Sequence, residues 1–137
     1  EEALRRLVRR SAETMGVDRV NVWRIDRAKG TYVCGAHYQV STGEFSSGMH
    51  VEPTAYPRYF HVLAEEKLLV TDDSMRDPRT AELVGWYLAP LGITSMLDSP
   101  VYSGGELAGA LCHEHVGPAR RWTEDEKVYS LGVANLA

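Results

Sequence analysis

YLAPLGITSMLDSPVYSGGELAGALCHEH, residues 87–115, holds a helix end, a strand, a tight turn and a second strand. Gly92 follows Leu91 as a helix stop, because glycine accepts the left-handed conformation in which helices commonly finish. ITSMLDSPVY (93–102) and LAGALCHEHV (107–116) are mostly apolar, and the SGGE between them places two glycines where a hairpin requires positive φ. Both strands carry apolar side chains on each face, which is the pattern of a sheet covered by helices on both sides.

Upstream, Asp77-Pro78 opens a helix running to about Leu91, with Asp as the cap and Pro in the first position. LLVTD (68–72) is a short apolar strand, and TAYPRYFHVLAEEK (54–67) has near-helical spacing with Pro57 confined to its first turn. STGEFSSGMHVEP (41–53) has the composition of a loop. VDRVNVWRID (17–26), the turn RAKG and TYVCGAHYQV (31–40) form a first hairpin. Residues 2–16 are an amphipathic helix with Ala3, Leu4, Leu7, Val8, Ala12 and Met15 on one side. Downstream, Thr123 and Glu126 make a capping box that opens a last helix, with Val128, Leu131, Ala134 and Leu136 expected inward. The fold class is therefore α+β, an α/β sandwich around an antiparallel sheet of about five or six strands.

The 137 residues fit one domain of ordinary globular composition, 44% hydrophobic and 25% charged. A formal charge of -4 leaves no basic field for nucleic-acid phosphates or anionic lipid. The sequence has neither a bilayer-length apolar run nor a signal-peptide pattern, so no membrane contact is expected of it. Cys34 and Cys112 lack CxxC spacing and read as buried thiols in a reducing, cytoplasmic setting.

The chain resembles a GAF domain, the sensory module of cyclic-nucleotide phosphodiesterases, phytochromes and many bacterial signalling proteins. KLLVTDDSMRDPRT (67–80), the 87–115 block and RRWTEDE (120–126) carry the resemblance over nearly the whole chain. It implies a single domain over 1–137, taken from a longer protein, with first and last helices on one face of the sheet. A ligand pocket would lie on the other face, under residues 52–91. It further implies a non-catalytic regulatory role: a small ligand is sensed, and the terminal helices, paired with those of a second copy, relay it to a downstream catalytic module such as a histidine kinase or cyclic-di-GMP enzyme. Two alternatives stay open: a small redox or metal enzyme on this fold, of the methionine sulfoxide reductase type, and a ligand-free dimerisation spacer.

Cys112, His113 and His115 are the chemically conspicuous residues. Strand alternation puts His113 and His115 on one face and Cys112 and Glu114 on the other. That separates the thiol from an imidazole base, and it supplies only two of the three or four ligands a zinc site needs, so neither a catalytic nor a metal site is assigned. The stretch is similar to the Cys-His-His strand of phytochrome chromophore domains, which implies that His113 faces the pocket and Cys112 the core. Leu83 and Val84 stand where phytochromes carry the chromophore-linking Cys-His pair, and Val51-Glu52-Pro53 replaces their Asp-Ile-Pro, which argues against a covalent bilin. The expected ligand-binding residues are His113, His115, Tyr56, Tyr59, Trp86, Met96 and Asp98, with Phe60 and Tyr87 also around the cavity. Asp72 and Ser95 are further polar candidates, and Arg120-Arg121-Trp122 reads as the junction into the last helix.

Overall fold

The computed structural model describes residues 2–66 and 68–137, the side chain of Glu66 excepted. Helix α1 (Glu2–Met15) leads into β1 (Arg19–Asp26) and β2 (Thr31–Gln39). The 41–53 segment holds two short strands, β3 (Glu44–Ser46) and β4 (His50–Val51). Then come α2 (Pro57–Glu66), β5 (Leu69–Thr71), an irregular helical segment over 78–91, β6 (Ile93–Ser103), β7 (Glu106–Val116) and α4 (Glu124–Ala134). Pro57 is the first residue of α2, and residue 67, the expected end of that helix, lies outside the described residues.

All pairings are antiparallel, in the order β3-β2-β1-β7-β6-β5, with β4 also on β2. Among the described residues the sheet has seven strands where about five or six were expected, since β3 and β4 are too short to show a sequence period. Among the described residues no helix is long and apolar enough to cross a membrane.

Two cores sandwich the sheet. On one face α1 buries Leu4, Val8, Ala12 and Met15 against Val20, Val22, Leu97 and Leu111, and α4 adds Ala134. Each buried Val, Leu or Met side chain among these stabilises the fold by roughly 2 kcal/mol. On the other face α2 and the 78–91 segment bury Val62, Leu63, Leu83 and Leu88 against Met96, Ala110 and Cys112.

The expected inward face of α4 is corrected. Ser130 and Ala134 are the buried residues, whereas Val128 is 69% and Leu131 39% exposed, and Leu136, beyond the helix, is 78% exposed. A buried serine was not weighed against apolar neighbours, but Ser130 finds polar partners in Ser99 and His113 and is satisfied there.

The segment expected as one α-helix from Asp77 also differs. Asp77 caps it, accepting from the Arg79 amide at 2.9 Å, and Pro78 is its first residue. A 3-10 stretch (Pro78–Leu83) is followed by a π-helical turn (Val84–Leu88), in which the Ala89 amide reaches back to the Val84 carbonyl, and by one α-turn, α3 (Ala89–Leu91). Pro90 has no amide to donate and Gly85 is a poor helix former, so regular winding is weakly favoured here. Gly92 ends it at φ 71°.

The junction into α4 forms as expected, with Arg120 as its working arginine. Arg120 donates to the Gly16 carbonyl at 3.2 Å, pairs with Glu126 and lies over the Trp122 ring. Trp122 donates its indole N–H to the Thr71 carbonyl and its amide to Asp72. Ser95 bonds the Asp72 carbonyl and the Arg120 amide, so Ser95 and Asp72 tie this junction together. The capping box is complete in both directions.

Candidate functional site

The pocket face of the sheet is set by strand alternation and by irregularities in it. β1 presents Arg19, Asn21 and Trp23 to this face and turns Val20 and Val22 to the helices. In β2 the pairing shifts at Gly35, because Val22 faces Ala36 while Trp23 faces Cys34. The extra residue flips the alternation, so Tyr32 and Cys34 before it and His37 and Gln39 after it all face the pocket side. A β-carbon on Gly35 would meet Leu4 of α1 at 3.1 Å, so the bulge also lets that helix approach closely. β6 and β7 contribute Met96, Ala110, Cys112 and Glu114.

Over this floor, α2 and the 78–91 segment supply aromatic walls. Tyr56 and Trp86 stack with centroids 5.3 Å apart, Tyr32 and Phe60 at 4.7 Å, and Phe60 meets Tyr59 edge-on at 5.0 Å. Met49 and Trp86, 56% and 45% exposed, form the rim. The apolar chamber, open at this rim, leaves about 60 Å³ for the centres of water-sized molecules. A second chamber of about 290 Å³ adjoins it, and Asn21, Trp23, Met49 and Tyr87 line both. Its other lining residues include Arg19, His37, Gln39, Ser46 and Ser47, beside the Cys34 thiol.

Glu114 organises the wall between the chambers. Its side chain is 3% exposed and pairs with Arg19, itself 11% exposed, at 3.0 Å. The Tyr87 hydroxyl donates to both carboxylate oxygens (2.9 and 2.7 Å), and the Asn21 amide donates at 3.3 Å. Trp23 in turn donates to Asn21 at 2.6 Å. Burial pushes the Glu114 carboxyl up, and Arg19 with the hydroxyl and amide donors opposes that push. Burial, and then the Arg19 charge, lowers His37 to about 4, so at neutral pH its ring is uncharged and accepts from Asn21.

Below the apolar chamber the Tyr59 hydroxyl donates to Asp98, and Cys112 lies 3.8 Å from that hydroxyl. The second Asp98 oxygen is buried without a hydrogen-bond partner, and burial raises this carboxyl to about 8. Both thiols are free and buried, Cys34 being raised to about 11 and Cys112 shifted upward, in each case by burial. Among the described residues no three His, Cys, Asp or Glu side chains converge as a metal set would.

Tyr56, Tyr59, Trp86 and Met96, with Phe60 and Tyr87, do line the apolar chamber. Asp98 is not in its wall but sits beneath it, bonded to Tyr59. His113 is a correction: it lies on the opposite face, fully buried, with Nε2 2.5 Å from the Ser11 hydroxyl of α1 and Nδ1 3.4 Å from that of Ser130 in α4. His115 also lies away from the chamber, its Nε2 3.0 Å from the Pro118 carbonyl. Cys112, expected toward the helices, faces the pocket instead. Alternation separated the thiol from the imidazoles correctly but does not say which face a ligand would use. Glu114, Arg19 and Asn21 were missed. An acidic residue sharing the face of Cys112 in an apolar strand was the available signal, together with Ser11 in the apolar stripe of α1 as a partner for His113.

The family model described as GAF domain matches residues 1–137. No curated protein matches the sequence. Solved structures of similar fold include the blue-light-absorbing form of the Thermosynechococcus elongatus PixJ GAF domain, with TM-score 0.81 and 19% identity over 98% of this chain and 80% of that one. The GAF domain of an Acinetobacter phosphoenolpyruvate-protein phosphotransferase gives 0.78 and 16%, over 98% and 76%. The chromophore-binding domain of the Stigmatella aurantiaca bacteriophytochrome, as its Thr-to-His mutant, gives 0.76 and 15%, over 98% and 51%.

Proposed function

This chain belongs to the GAF domain family, sensory modules of signalling proteins, and from that premise we propose that it is a non-catalytic sensor of a small, non-covalently held ligand. The observation that carries the proposal is the two-chambered pocket walled by α2 and the 78–91 segment, on the face of the sheet opposite the terminal helices. In this reading a ligand changes how the cover packs on β6 and β7, and these strands pass the change to α1 and α4. The buried, proton-retaining thiols support the non-catalytic reading over a redox enzyme. Leu83, in the pocket wall, offers no nucleophile for a covalent chromophore.

The same proposal places the domain in the cytoplasm, in a bacterial signalling protein whose output is a histidine kinase or a cyclic-di-GMP enzyme attached in cis. Two copies would pair through the terminal helices. Val128 and Leu131, exposed on α4, support that pairing, since apolar residues at this spacing gain by meeting a second helix. The competing spacer reading draws on the small volume of the apolar chamber. Thermal-shift screening of small aromatic and heterocyclic compounds, followed by sedimentation, tests both: selective stabilisation supports the sensor, and a monomer at high concentration overturns the pairing.

A further inference from the structure

The geometry points to an anionic aromatic ligand, a compact ring system bearing one carboxylate, with the ring between the aromatic walls and the carboxylate on Arg19 in the second chamber. This inference rests on the sensor reading and adds the chemical class of what is sensed.

Size argues first. The apolar chamber alone leaves about 60 Å³, while pockets that take organic ligands run to roughly 300–1,000 Å³. Only by joining the adjoining chamber of about 290 Å³ does the site reach that range. The shared wall includes the Tyr87 ring, held by its hydroxyl on Glu114. Tyr87 sits in the π-helical turn Val84–Leu88, so the gate between the chambers belongs to an irregular segment rather than to the sheet.

Charge argues second. Among the described residues, Arg19 is the one formally charged side chain lining this second chamber. The remaining polar walls are amides of Asn21 and Gln39, hydroxyls of Ser46 and Ser47, and the uncharged His37. Glu114, the counter-charge of Arg19, lines the apolar chamber instead. Arg19 commits Nε to Glu114 but reaches Gln39 from Nη1 only at 3.5 Å, a long contact that a ligand carboxylate would replace with a charge-assisted one. Asp18, beyond the chamber, is engaged by Ser41 and Gln39.

Benzoate, phenylacetate and indole-3-acetate, each beside its neutral amide and its amine analogue, are titrated into the chain by calorimetry, with Trp23 and Trp86 fluorescence as a second readout. At least one carboxylate should bind ten-fold or more tighter than its amide and amine. Arg19→Gln should remove that preference and Arg19→Lys should keep part of it, with circular dichroism confirming that both fold. Tyr87→Phe, which frees the gate from Glu114, should tighten binding by about ten-fold. Equal or better binding of the amides or amines overturns the anion assignment and leaves the sensor reading standing. Silence from all three charge types counts against both.

Discussion

His113 and Glu114 are consecutive in β7, yet His113 meets Ser11 of α1 and Ser130 of α4 while Glu114 meets Tyr87 of the pocket cover. One peptide unit thus spans the distance between the pocket face and the helix face. A shift of Glu114 along or across the strand cannot leave His113 where it was, and both side chains are fully hydrogen-bonded at their ends.

Glu114→Gln keeps the side-chain shape but leaves the Arg19 guanidinium buried without its counter-charge. The expected loss is about 3 kcal/mol, and Arg19→Gln added to it should recover at least half, because the pair then leaves no isolated charge. Urea unfolding of the four proteins measures this. Simply additive losses would show that the two side chains are not coupled.

His113, held near 4 by burial against an ordinary value of 6.5, makes the fold sensitive to acid. Between those values the unfolded chain takes up a proton that the folded one refuses, so this contribution is complete above pH 6.5 and is lost as pH falls toward 4. His37 acts in the same direction. His113→Gln should lower the melting temperature at pH 7 yet flatten its decline to pH 4.5. An unchanged slope would sink the assignment.

Asp98 has the opposite sign. Its carboxyl is raised from 3.8 to about 8, so between those values the unfolded state sheds a proton that the folded state keeps, and stability falls as pH rises through that window. Asp98→Asn cannot ionise and still accepts from Tyr59. Relative to the natural chain it should gain stability steadily from pH 5 to pH 8 in thermal melts; parallel curves would refute the claim.

Of the described glycines, Gly109 leaves the least room for a β-carbon. A β-carbon there would collide with the Trp23 carbonyl across the β1–β7 pair, where neither backbone can give. Gly109→Ala should cost 3 kcal/mol or more, on the order of an overpacked core site. Gly105→Ala has open space and only a positive φ of 82° to resist, so about 1 kcal/mol is expected. Equal losses in denaturant titration would contradict this ranking.

Features encoded by neighbouring residues were legible in the sequence. The Thr123–Glu126 box, the Asp77-Pro78 start, the Gly92 stop and the Gly104-Gly105 hairpin each depend on a few adjacent positions. The phase of β7 was not legible, because which of its faces meets α1 depends on packing between segments about a hundred residues apart. The burial of Ser11 and Ser130 was hidden for the same reason, since Ser11 is satisfied by His113 and Ser130 by Ser99 and His113. The Gly35 bulge left one trace, a glycine within a strand pattern. Its consequence, putting Cys34 and His37 on one side, needed the partner strand to be visible.

The sheet finishes at each margin in a three-residue strand, β3 on one side and β5 on the other, and β4 covers a further stretch of β2. Long unpaired edges recruit strands from other molecules. Here both margins end in short pieces of ladder, which offer a strand from a neighbouring molecule little length to pair with.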